Sequence, residues 1–282
     1  MAKGKHVRRR KRAGLIIILL LLIAAALLFA DSNLRLTVSR YEEKFENLPE
    51  SFDGLKIVQL SDLHNTEFGK DNSRLVKKVA REKPDIIAIT GDMIDGKGQG
   101  EYVRTLIPQL VEIAPVYYVS GNHEWACGEA KTLFRDLSEL GATALRNDYE
   151  LITRDGESIV LVGAEDPLGP YDMMTRQELM EGVRTAEGDK FTVMLFHRNN
   201  KLNEFADLGV DLALCGHAHG GIVRLPFTDG LIGPSREWLP AYTAGEYRDG
   251  DTVMIVSRGI GYYAAPRLFN NPDIVSITLT AE

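Results

Sequence analysis

The chain is expected to fold as one α/β domain built as a four-layer α-β-β-α sandwich. Two mixed sheets would pack face to face with helices outside, preceded by an N-terminal transmembrane helix. Three observations predict this. Through the first half, strand-like apolar runs alternate with amphipathic segments of helical period, as a parallel sheet requires. After a hairpin, the second half takes up a similar alternation. Finally, five apolar runs stop at Asp, Asn or His: LKIVQLSDLHN at 55–65, IIAITGD at 86–92, VYYVSGNHE at 116–124, FTVMLFH at 191–197 and LALCGHAHGG at 212–221. Strand ends that all release such residues imply one polar site where they converge.

Taken in order, residues 1–12 form a basic tip with seven Lys/Arg and no acid, while the other 26 Lys/Arg face 40 Asp/Glu. A body near −14 lacks the basic face that a nucleic-acid partner needs, and none is expected. Residues 13–30 are uncharged and span about 27 Å as a helix, close to a bilayer core. The basic flank then puts the tip in the cytoplasm and the rest outside, as a single-pass membrane protein with an extracytoplasmic domain. Cleavage and export is the alternative, although an export signal's apolar region is typically about 7–15 residues. Leu28-Phe29-Ala30 also places a large residue where cleavage wants a small one.

Residues 31–47 read as a juxtamembrane spacer that becomes an edge strand, and 48–282 as the main domain. A turn at Phe52-Asp53-Gly54 precedes strand 55–60. Leu75, Val76, Val79 and Ala80 mark a helix over 72–82, capped by Asp71 or Asn72. Pro84 resets the chain into strand 85–90. A helix over 101–113 carries Pro108 as a local defect. Strand 116–119 follows, then a helix over 129–140 that Gly141 ends. Two strands meet at Asp155-Gly156 as a hairpin. Helix 175–186, strand 191–196, a short helix near 200–207 and strand 211–215 come next. Residues 220–250 are rich in glycine and proline, and strands 252–257 and 274–280 close the chain. Cys127 and Cys215 are too few for a disulfide scaffold and are expected as buried thiols.

Of six histidines, five (His64, His123, His197, His217 and His219) fall at or just beyond strand ends, beside Asp62, Asp92 and Asn122. Imidazole and carboxylate without thiolate suit Mn, Fe, Zn, Co or Ni; Ca and Mg prefer oxygen. So many candidate ligands exceed the needs of one ion, whereas two divalent metal ions about 3.5–4 Å apart, sharing a carboxylate, use them economically. Neither a phosphate-cradling GxxxxGK[ST] loop nor a G-x-S-x-G nucleophile elbow occurs.

Asp62-Leu63-His64, Gly91-Asp92, Gly121-Asn122-His123-Glu124, His197 and Gly216-His217-Ala218-His219 resemble, block by block and in order, the calcineurin-like metallophosphoesterases. GHAHGG, VSRGIG and Pro272-Asp273-Ile274 are similar to the bacterial membrane-associated or exported phosphodiesterase-like branch. The resemblance implies that Asp62, His64 and His219 hold one ion, that Asn122, His197 and His217 hold the other, and that Asp92 bridges them. Mn is the favoured metal. It further implies hydrolysis of phosphodiester or pyrophosphate bonds through a metal-bridging hydroxide, with His123 protonating the leaving oxygen and Asp95 orienting His123. Glu124 is expected to brace the loop. Arg198 and Asn199 are candidate substrate contacts, and Arg224, Arg258, Tyr262 and Tyr263 a candidate lip. The same motifs would serve a phosphomonoesterase or protein phosphatase, and an idle metal-binding surface module is the non-enzymatic alternative. Envelope lipids, nucleotide-linked lipids and wall-polymer phosphates are the phosphoesters that an anchored domain would meet.

Overall fold

A computed structural model describes residues 2–170, 172–225, 228–234, 236–261 and 266–282, with side chains from Arg12 onward. Tyr262 and Tyr263, read as part of a lip, lie outside the described residues. The course of the chain is α1 (Ala2–Leu34), β1 (Thr37–Phe45), β2 (Lys56–Leu60), α2 (Ser73–Glu82), β3 (Ile86–Thr90), α3 (Gly100–Val111), β4 (Val116–Val119), α4 (Asn122–Ala126), α5 (Ala130–Glu139) and β5 (Thr143–Ala144). It continues through β6 (Asp148–Arg154), β7 (Glu157–Gly163), α6 (Arg176–Glu187), β8 (Thr192–Leu195), α7 (Leu202–Asp207), β9 (Leu212–Cys215), β10 (Gly245–Asp249), β11 (Thr252–Val256) and β12 (Asp273–Ala281).

The strands form two six-stranded sheets, ordered β1-β12-β2-β3-β4-β5 and β10-β11-β9-β8-β7-β6. Both are mixed. In the first, β2 to β5 run parallel and β12 enters antiparallel to β2. In the second, β7, β8, β9 and β11 run parallel between antiparallel edges. Burial follows the strand period of two. Ile57 and Ala88 point inward, where they meet Val193, Leu212 and Ile255 of the other sheet. Their neighbours Val58, Ile87 and Ile89 point outward under Leu75 of α2, Leu106 of α3 and Leu133 of α5. On the far side, Val162, Met194 and Ala213 carry Leu179 of α6 and Phe205 of α7. Because both faces of each central strand are covered, those strands read as unbroken apolar runs. The four-layer sandwich is present.

Several local readings are corrected. Asn72 precedes α2, but its side chain makes no cap; its Oδ1 accepts the Phe68 N–H at 3.1 Å and braces the loop instead. Residues 31–34, expected to begin a spacer, finish α1, with Ser32 and Asn33 buried against the domain. Thr37–Phe45 is the expected edge strand. Pro108 sits inside α3 without ending it. Cys127 and Cys215 are unbridged, yet only Cys215 is buried. The Arg12–Leu34 part of α1 is long and apolar enough to cross a membrane, and an 18-residue stretch within it has a mean hydropathy of 3.1.

Candidate dinuclear metal centre

Five parallel strands, three from one sheet and two from the other, end on the same rim. β2 releases Asp62 and His64, β3 releases Asp92 and Asp95, β4 leads into Asn122 and His123 at the start of α4, β8 ends before His197, and β9 before His217 and His219. Asp62, His64, Asp92, His217 and His219 all adopt positive φ, between 45° and 66°. Each such turn costs on the order of 1–3 kcal/mol, and strain of this kind gathers where function demands it. The turns bend the side chains inward at once after the strand.

Backbone bonds fix these loops to one another. The Asp62, His64 and Asn65 N–H groups donate to the Gly91, Asp92 and Met93 carbonyls at 2.9–3.1 Å. Gly91 takes φ 85°, and a Cβ there would stand 2.6 Å from the Gly121 nitrogen; only glycine lets the β3 and β4 loops approach so closely. Glu124, fully buried, accepts the N–H groups of Asp92, Met93, Ile94 and Gly121 at 2.6–3.4 Å. It braces the Asp92 loop, as expected.

Two ligand groups result. In the first, His219 Nε2 lies 3.3 Å and His64 Nε2 4.0 Å from Asp62 Oδ1. In the second, His197 Nε2 is 3.2 Å from Asp92 Oδ2 and 3.1 Å from Asn122 Oδ1. Asp92 Oδ2 is also 3.9 Å from His64 Nε2, so this carboxylate faces both groups. The Nε2 atoms of His64 and His219 approach to 3.1 Å, and His217 Nδ1 lies 3.2 Å from His197 Nε2. At such separations at most one proton fits between each pair, so ring lone pairs and carboxylate oxygens converge on two shared points. That donor set, nitrogen and oxygen without sulfur, fits divalent cations, and Asp92 faces both groups.

Charge supports the fit. Burial, then His197 and Arg198, pushes His217 down to about 3. Burial and His64 hold His219 well below its ordinary value. Both rings are therefore neutral, the form that ligates. Burial lowers His197 too, but Asp92, aided by Asp62, outweighs it and pushes the ring up to about 10. Conversely, burial raises Asp92, yet His197, His64 and His123 hold it well below the usual carboxylate range. A divalent cation at this pair would compete with that proton.

His123 stands at the mouth with its side chain 19% exposed and its Nδ1 3.1 Å from Asp95 Oδ1. Burial lowers its pKa, but the Asp95 hydrogen bond and the Asp92 charge raise it above the ordinary value. Asp95 faces two rings, because the same oxygen is 2.5 Å from His64 Nδ1. A cavity of about 210 Å³ is lined by Asp92, Asn122, His123, Arg198, His217, His219 and Pro234. Arg198 is held there by a two-pronged bond to buried Asp166, at 2.8 and 3.0 Å. Asn199, by contrast, turns away from the cavity; its amide donates to the Tyr242 carbonyl at 2.8 Å. Arg224 and Arg258 are likewise bound elsewhere, to the Gly220 carbonyl and to Asp273.

Sequence reasoning missed Asp166 and Asn270. Asp166 follows the end of β7 and would have been found by applying the strand-end rule to the hairpin as well. Asn270, whose amide donates to the His219 carbonyl at 2.6 Å, lies in a loop with no such signal.

A family model described as calcineurin-like phosphoesterase matches residues 55–221, which include every candidate ligand. A metallophosphoesterase of Bacillus subtilis, YkuE, is 31% identical over 241 residues, covering 82% of this chain and 81% of its own. Phosphodiesterase YaeI of Escherichia coli is 27% identical over 230 residues, 79% of this chain and 82% of its own. A transmembrane protein with a metallophosphoesterase domain from Danio rerio is 29% identical over 252 residues, 83% of this chain but 55% of that protein.

Proposed function

Because the chain belongs to the calcineurin-like phosphoesterase family, we propose that it is a membrane-anchored phosphoesterase using two divalent ions, Mn foremost, to hydrolyse phosphodiester or pyrophosphate bonds. The observation that carries this reading is the pair of ligand groups, Asp62/His64/His219 and Asp92/His197/His217, meeting beside a histidine that belongs to neither. When bound, the ions would supply Lewis acidity and a water of lowered pKa.

The chain's own groups supply the rest. With His123 Nδ1 tied to Asp95, its Nε2 is left toward the cavity, 3.9 Å from Asp92 Oδ2. The raised pKa favours the protonated ring, the form that donates a proton to the departing oxygen. Arg198, pinned by Asp166, presents its guanidinium to the phosphoryl oxygens. The cavity is smaller than a drug-sized pocket of about 300–1,000 Å³, which suits a phosphate group whose substituents lie outside. A diester is the favoured substrate. The E. coli relative's name points the same way. Anchoring rests on α1, and its basic flank supports an extracytoplasmic domain.

The test compares a chromogenic diester with the monoester of the same leaving group, using full-length chain in detergent with Mn. The diester should be cleaved at least about tenfold faster, and Asp92→Ala should lower that rate by about 100-fold or more. Faster monoester cleavage would transfer the assignment to a phosphomonoesterase.

A further inference from the structure

The apolar part of α1 has no free tether to the domain. It ends at Ala30, and the next residues are already docked. Asn271 donates to the Asp31 carbonyl at 2.6 Å, Ser32 Oγ accepts the Phe269 N–H at 3.0 Å, and Asn33 exchanges two bonds with the Arg267 backbone at 2.8 and 2.9 Å. The 267–271 segment is thus a fixed extension of the helix end.

From this segment a ladder of backbone bonds leads outward. The Arg224 N–H donates to the Leu268 carbonyl, Leu231 to Val223 and Leu239 to Leu231, at 2.8–3.1 Å. At one strand spacing per rung, Leu239 lies within roughly 15 Å of the docking segment. Along the ladder, large apolar side chains face solvent: Leu225 is 47% exposed, Trp238 77%, Leu239 73% and Phe269 37%. A group of this size on a soluble surface marks an interaction site. Cations stand nearby: Arg236 is exposed, and exposed Arg74 donates to the Leu34 carbonyl at the end of α1, while Arg35 is paired with Asp31 at 2.6 Å.

The same excursion reaches the metal centre. Pro234, in the turn between bridged Ile232 and Trp238, lines the cavity. Asn270, next to Phe269, holds the His219 carbonyl.

We propose that Leu225, Trp238, Leu239 and Phe269 rest in the bilayer interface beside α1, so that the cavity opens at the membrane surface and its substrate is a phosphoester carried by a membrane lipid. The inference rests on the anchoring proposed above. Trp and Leu suit the interfacial layer, where an apolar face sinks about 5–10 Å, and neighbouring Arg residues suit anionic headgroups. A bilayer is favoured over a second copy of the chain because a membrane-spanning α1 would itself bring these side chains to lipid.

Trp125→Phe leaves Trp238 as the single tryptophan of the full chain. In phosphatidylcholine vesicles brominated near the headgroup, Trp238 emission should fall to about half of its value in unbrominated vesicles. With a phosphatidyl diester in vesicles, Trp238→Ala/Leu239→Ser should lose about tenfold in rate while staying within about twofold of the parent on a soluble chromogenic diester. The quenching needs no turnover, so it decides this inference even if the phosphoesterase reading fails. A chain that floats with vesicles but keeps unquenched Trp238 overturns this inference and spares the anchoring. A chain that does not float overturns both. Equal loss on lipid and soluble diesters would show that the excursion shapes the cavity and does not present lipid.

Discussion

Asp95 is the residue whose position says most about how the proposed acid is set. One oxygen touches His64, a candidate ligand, and His123, the candidate acid. Its hydrogen bond and charge raise the His123 pKa, and in the proposed mechanism the protonated ring is the active form. Activity should therefore fall as pH rises through that pKa. Asp95→Asn removes the charge and lowers the pKa, so the alkaline limb of kcat/KM, measured at saturating Mn, should move to lower pH with a loss of about tenfold or more. An unmoved limb would remove His123 from the acid's role. At this scale the site was largely legible, because Asp, Asn and His directly after apolar runs are conspicuous. Asn199 misled, since proximity in sequence to His197 does not say which way an amide turns.

Among the elements, the loops matter more than the strands they follow. The Asp92 loop is held by one buried carboxylate receiving four backbone N–H groups. Burial and the Asp92 charge push Glu124 up to about 7, while the amide donors favour its anionic form. Glu124→Gln would set an NH2 group against some of those donors. It should cost about 2–3 kcal/mol, a drop of about 4–12 °C in the midpoint of thermal unfolding. An unchanged midpoint would mean that the loop is held by other contacts. The core strands were legible because both faces are buried and their composition is uniformly apolar. β5 and β10 were not: the first has two residues, and the second is an edge strand at the end of the glycine- and proline-rich stretch. Their pairing comes from tertiary contact, which leaves little local pattern.

For the molecule as a whole, two sheets bring one end of five parallel strands together, and neither sheet alone completes a ligand group. Asp62 and His64 come from the first and His219 from the second; Asp92 and Asn122 meet His197 and His217 in the same way. The sandwich and the metal centre are therefore one construction. That dependence was readable from strand-end chemistry, whereas the docking of α1 was not. Ser32, Asn33 and Asn271 are ordinary polar residues until the fold brings them together. Two ions per chain, with Asp92 between them, is what the proposed mechanism requires, and metal content measured alongside activity is the decisive experiment. Purified full-length chain loaded with Mn should retain about two ions per chain, lose diesterase activity with a chelator, and regain it with Mn. Full activity with one ion per chain, or activity that survives complete removal of metal, would contradict it.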